Sequence, residues 1–143
     1  MTQHTAAVHQ MITATTEMLL ISDPTIPAVH AELRYYCADP FAVQMLLSIE
    51  QSPAICWTFS RDLLISGATM PCGVGDVQVY PTHDGVIIEL RSGAAAAALL
   101  AYAPDVAEFI DQTLAVVPVD AEIEHYDIDA ELAQLPVHDP HDV

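Results

Sequence analysis

The residues in this chain whose types and spacing could do chemistry form five small groups. In "HDPHD" (138–142) two imidazoles stand beside two carboxylates, a set that could bind a metal. Residues 136–143 are expected to be a disordered acidic tail, which lacks the preorganised geometry a metal site needs, so a solvated tail is the expectation. "GVGD" (73–76) has the glycines of a phosphate loop. No G-K-[ST] or G-x-x-G helix start follows it; an alternating strand pattern does, and a plain turn is expected. "DIDAEL" (127–132) pairs acids as a calcium loop does, without the length or the glycine of an EF-hand. Cys37, Cys56 and Cys72 have no basic neighbour in sequence to lower a thiol pKa and no local nucleophile motif. Trp57 and Phe59 could stack on bases, but no flanking cations accompany them, which favours a core role. His125 stands alone, as expected of a surface or capping residue.

Charge narrows the choice further. The 143 residues hold 20 acids against three arginines and no lysine, a formal net charge of −17. Nucleic-acid binding draws most of its affinity from cations on phosphates, and Arg34, Arg61 and Arg91 cannot form a basic stripe. Nucleic acid and anionic membranes are poor partners, whereas basic protein surfaces are suitable ones. The first 33 residues carry no Lys or Arg, so no secretory signal is expected. The longest apolar run, near 93–103, is too short to span a bilayer. Three widely spaced cysteines fit reduced cytosolic thiols better than a disulfide framework. No feature calls for a cofactor.

The elements that must position these residues alternate with period two. Residues 1–14 look like a flexible leader. Val29, Ala31, Leu33 and Tyr35 then share one face of a strand over 29–36. Val43, Met45, Leu47 and Ile49 do so over 43–49, and Ile55, Trp57 and Phe59 over 55–60. Turn signals at 37–40 and 50–53 make these hairpin neighbours. "SRDLLISG" (60–67) reads as a short helical turn capped by Ser60 and ended by Gly67. Residues 73–90 read as a hairpin turning at Asp84–Gly85, with Pro81 at a strand end. The Ala-rich stretch 94–101 fits strand or helix. Val106, Phe109, Ile110, Thr113, Leu114 and Val117 recur at helical spacing between Pro104 and Pro118. "EIEHY" (122–126) is expected to be a final strand and 127–135 a terminal helix.

Four stretches in this order, "LRYYCADPFAV" (33–43), "CWTFSRDLL" (56–64), "GVGDVQVYP" (73–81) and "HYDIDAEL" (125–132), resemble the SsgA-like proteins of actinomycetes, regulators of sporulation-specific cell division. The resemblance covers roughly residues 15–135, and the family pattern carries over onto Arg34, Tyr35, Asp39, Pro40, Trp57, Phe59, Arg61, Gly75, Asp76, Asp127 and Asp129 as structural or partner-contact candidates. It implies an α+β, β-rich Whirly-like fold of antiparallel sheets with a C-terminal helix packed on them, forming a trimer. It also implies a non-enzymatic role in septum placement or recruitment of the tubulin-like FtsZ, through contacts with FtsZ or another SsgA-like protein, in the cytoplasm and at division septa. The rival from another class is a single-stranded nucleic-acid binder of the same fold. Asp120 stands where the family usually has glycine after its Val-Pro.

Arg61 is expected to hold a carboxylate across strands or subunits, because its planar fork suits bidentate binding; a solvated arginine at a helix start is the alternative. In the other motifs, Asp39 and Asp76 are plausible partners for Arg34.

Overall fold

The computed structural model describes residues 10–50, 52–73 and 75–126. Four strands come first: β1 (Met11–Leu20), β2 (Val29–Tyr36), β3 (Ala42–Ser48) and β4 (Ile55–Ser60). Helix α1 (Arg61–Gly67) follows, then β5 (Val77–Thr82), β6 (Gly85–Ser92) and β7 (Ala95–Ala101). Helix α2 (Ala103–Val116), a 3-10 turn (Val119–Ala121) and the short helix α3 (Glu122–His125) close the described chain. The strands form one antiparallel sheet in the order β4-β3-β2-β1-β7-β6-β5. Strand β1 joins its halves: Met11–Met18 pair with β2, while Leu19 and Leu20 pair with Leu100 and Leu99 of β7. The sheet curls about this shared strand.

Alternation decides which side chains meet inside the curl. Val29, Ala31, Leu33 and Tyr35 of β2 are buried, and the register sets Leu33 opposite Met45 and Met45 opposite Trp57. From the other half, Val79, Ile88 and Leu99 lie on the matching face and join the same core. Helix α2 completes that core with Val106, Phe109 and Ile110, one face at helical spacing, packed against β1 and β6. Pro104 suits its first turn, and Thr16 Oγ1 donates to the Asp105 carboxylate at 2.6 Å, tying the helix start to β1.

Several local expectations change in the tertiary structure. Residues 11–14 of the expected leader lie in β1. The Ala-rich stretch is strand β7, because pairing along β6 and at the end of β1 outweighs alanine's helix propensity. "EIEHY" is no strand: after Pro118 the chain tightens into the 3-10 turn and α3. Gly67 does not end α1 through a positive φ; Ala68 is the C-cap, in a right-handed conformation. Gly67 is required instead by packing, since a Cβ there would lie 2.4 Å from Val79 Cβ. The β5–β6 hairpin turns on His83–Asp84, with Thr82 opposite Gly85. Gly85 has φ +151°, and a Cβ on it would stand 2.2 Å from the Ala101 carbonyl oxygen. The expected helix over 127–135 and the 136–143 tail lie outside the described residues.

Candidate functional site

Arg61 is the largest side chain with almost no exposure, at 1 %. Local sequence puts it there. Ser60 Oγ accepts from Leu63 N–H at 2.9 Å, capping α1 so that Arg61 is its first helical residue, and Arg61 N–H donates to Phe41 O at 2.8 Å. The guanidinium then turns into the core. Its Nη1 donates to the carbonyls of Val117 (2.6 Å) and Thr113 (3.2 Å). Its Nη2 and Nε donate to Glu122 Oε2 at 2.6 and 3.2 Å. The guanidinium carbon lies 4.9 Å from the centre of the buried Tyr35 ring, a cation–π contact.

This arrangement solves a problem posed by α2. A helix leaves its last carbonyls without intrahelical partners, its C-terminus carries partial negative charge, and the last turn of α2 has no basic residue. Pro118 stops the helix and has no N–H to offer. Arg61 supplies charge and donors from another element, meeting the Val117 carbonyl and sharing the Thr113 carbonyl with Val117 N–H. Tyr35 supports it: its hydroxyl donates to Pro40 O at 2.9 Å, and burial pushes its phenol well above the ordinary range, so it stays a donor. Phe41 meets Tyr126 edge-on with ring centroids 5.5 Å apart. One node thus joins the 33–43 stretch, the 56–64 stretch and the segment after α2.

Arg61 does hold a carboxylate, but one from the C-terminal segment of its own chain. The sequence reading missed Glu122; a helix end without a cation, followed by proline, was the signal that could have found it. Arg34 is not paired with Asp39 or Asp76. It lies on the opposite face of β2 from Tyr35, its Nε donating to Glu32 at 2.7 Å, and that hydrogen bond lowers the Glu32 carboxyl pKa. A strand places residues i and i+2 on one face, so Glu32 is the nearer partner. Asp39 sits in the turn after β2, its N–H donating to Tyr36 O, and burial pushes its carboxyl up. Pro40 is buried at the node. Gly75 and Asp76 lie in the approach to β5, where Gly75 lines a pocket with Ser60 and Asp62 and Asp76 O accepts from Arg91 N–H; neither bonds to Arg61. Asp127 and Asp129 lie outside the described residues.

Phe59 is core, whereas Trp57 is only half-buried. Trp57, Ile55, Leu47 and Ile49 form one wall of an apolar groove of about 390 Å³; Leu20, Val29, Leu90, Ala97 and Leu99 complete much of the lining. The β3–β4 and β6–β7 connections contribute Pro53 and Ala95. Among the described residues no charged side chain lines it, so these residues suit apolar groups and not acid–base chemistry. Burial raises the Cys37 thiol, which makes it a weaker nucleophile. Among the described residues no three His, Cys, Asp or Glu side chains group to hold a metal, and no helix is long and apolar enough to cross a membrane.

Comparison with known proteins adds a consistent result. The family described as "Streptomyces sporulation and cell division protein, SsgA" matches residues 29–122, a span that includes the hydrogen-bond partners given above for Arg61. The sporulation-specific cell division protein SsgB of Streptomyces coelicolor is 38 % identical over 121 residues, covering 82 % of this chain and 88 % of the relative. The SsgB of Saccharopolyspora erythraea is 37 % identical over 130 residues, covering 89 % and 92 %. Among solved structures, the SsgA-like sporulation-specific cell division protein from Thermobifida fusca superposes with a TM-score of 0.78 at 32 % identity, covering 89 % of this chain and 96 % of that one. A structure from work on SsgB mutations that correlate to longitudinal cell division during sporulation of Streptomyces coelicolor superposes with a TM-score of 0.77 at 33 % identity, covering 83 % and 98 %.

Proposed function

The chain belongs to the SsgA family of sporulation and cell division proteins, and from that premise we propose that it is a non-enzymatic adaptor of sporulation-specific cell division, acting through protein contacts. The observation that carries this reading is the near-full-length match to relatives named as sporulation-specific cell division proteins. The site chemistry supports it: an uncharged apolar groove and a charge node turned inward suit recognition and folding, not turnover. The adaptor works in the cytoplasm and at division septa. Its partners are FtsZ or another SsgA-like protein, and it assembles as a trimer of Whirly-like protomers.

The rival reading, a single-stranded nucleic-acid binder, needs accessible cations. Arg61 is buried and Arg34 is bonded to Glu32, which weighs against it. The test is a functional fluorescent fusion imaged beside labelled FtsZ through sporulation. Foci at future septa, ahead of or with FtsZ rings, are expected. A diffuse signal throughout septation refutes a local septal role. Binding of single-stranded DNA at low salt would favour the rival.

A further inference from the structure

The two edges of the sheet are treated differently. On β5, Val79 exchanges two backbone hydrogen bonds with Cys72 on its outer side (2.9 and 3.0 Å). The outward N–H set on that strand therefore includes position 81, and Pro81 has no N–H to expose. Helix α1 also packs against β5. A bridge, a proline and a helix thus protect this edge from further pairing.

Among the described residues strand β4 has neither such a bridge nor a proline. Among the described residues no strand pairs on its outer side, and Ile55–Ser60 contain neither proline nor charge. The direction of its backbone groups follows from one bond. Arg61 N–H donates to Phe41 O, one step beyond the Ala42–Ser60 pair. Hydrogen-bonded pairs alternate in an antiparallel ladder, so Val43–Phe59, Met45–Trp57 and Leu47–Ile55 bond inward to one another. The N–H and C=O groups of Cys56 and Thr58 therefore point outward. The Ile55 and Trp57 side chains line the apolar groove beside this edge, and Ile55 is 62 % exposed.

We propose that the outer edge of β4 is a strand-addition site for an extended segment of a partner protein, apolar at alternate positions and neutral to basic in charge. Backbone groups left unpaired among the described residues call for an extended chain. Such a chain would present every second side chain to the groove. Net charge selects the partner: at −17, this protein disfavours an acidic segment and favours a neutral or basic one. The proposal rests on the protein-contact reading above and names the kind of partner; its test does not depend on septal behaviour.

Trp57 is the chain's single tryptophan, so its emission reports on the groove. The full chain is titrated with a short capped peptide alternating valine with lysine and threonine. Expected are a saturable blue shift of Trp57 and binding roughly tenfold weaker when the lysines are replaced by glutamates. Thr58→Pro removes an outward N–H while sparing the bonds to β3, whereas Thr58→Val keeps it. Thr58→Val should bind like the parent and Thr58→Pro roughly tenfold more weakly, with unchanged circular dichroism. If Thr58→Pro does not fold, the parent is titrated with a peptide N-methylated on its edge-facing amides, which should fail to bind.

The proposal is overturned by no saturable shift up to about 1 mM peptide. Equal binding by Thr58→Pro, by the methylated peptide, or by a peptide with its valines in one block also overturns it. Sedimentation supplies another arm: oligomers that dissociate in Thr58→Pro would give the edge to a second copy, against the proposal. Diffuse localisation with intact peptide binding would refute only the adaptor reading, and septal foci without peptide binding only the edge.

Discussion

Replacing Arg61 by methionine tests whether the buried cation holds the C-terminal segment to the sheet. Methionine keeps a long apolar stem and removes every donor. It leaves Glu122, only 16 % exposed at its side chain, without its guanidinium, and takes the Arg61 donors from the Val117 and Thr113 carbonyls. Breaking a buried ion pair from one side typically costs about 3–5 kcal/mol. Against a total stability on the order of 5–15 kcal/mol, this is a large fraction. With a urea slope of about 1–3 kcal/mol/M, the unfolding midpoint should fall by on the order of 1–5 M, read by circular dichroism and Trp57 emission. Arg61→Lys keeps the charge but loses the planar fork, and should fall in between. Much of the loss comes from an uncompensated carboxylate, so adding Glu122→Gln to Arg61→Met should recover about 1–3 kcal/mol. The reasoning is refuted if Arg61→Met costs less than about 1 kcal/mol, or if the coupling between the two sites is below about 0.5 kcal/mol. If Arg61→Met does not fold, Glu122→Gln alone serves: it leaves the buried guanidinium without its carboxylate and should cost more than about 1 kcal/mol.

Two further perturbations separate local propensity from tertiary demand. Gly67→Ala improves helix propensity by about 1 kcal/mol, yet it would drive a Cβ into Val79 at 2.4 Å, so a net destabilisation of about 1–3 kcal/mol is expected. Partial rescue by Val79→Ala in a thermal melt would identify the clash as the cause; an unchanged or raised Tm refutes it. Burial raises the Asp39 carboxyl above its unfolded value, so folding is favoured by its protonated form: that contribution is full below the ordinary aspartate pKa and is lost as pH rises through the folded one. Asp39→Asn should therefore raise Tm at neutral pH by more than at pH 4, measured by paired melts; an equal or opposite effect at the two pH values refutes the sign.

The strands of the first half were legible because alternation is a local property. Residues 29–36 and 55–60 match β2 and β4, and the helix after Pro104 was marked by spacing and by two prolines. The misread elements depended on something distant. The Ala-rich stretch became strand β7 over 95–101 because β6 and β1 were there to pair with it. Residues 122–126 became a helical turn in which Glu122 faces Arg61. Gly67 serves Val79, a neighbour twelve positions away, and not the helix end it occupies.

The candidate site divides along the same line. A cation-poor composition, the motif order and the buried face of each strand could be read without coordinates, because they depend on residue type and on period two or 3.6. That Arg61 and not Arg34 is the buried cation, that its carboxylate is Glu122, and that it completes the end of α2 arise only when segments more than fifty residues apart meet. The open edge at β4 is of the same kind. Its residues are ordinary strand formers in sequence, and only the order of strands in the fold leaves their outer side, among the described residues, without a neighbour.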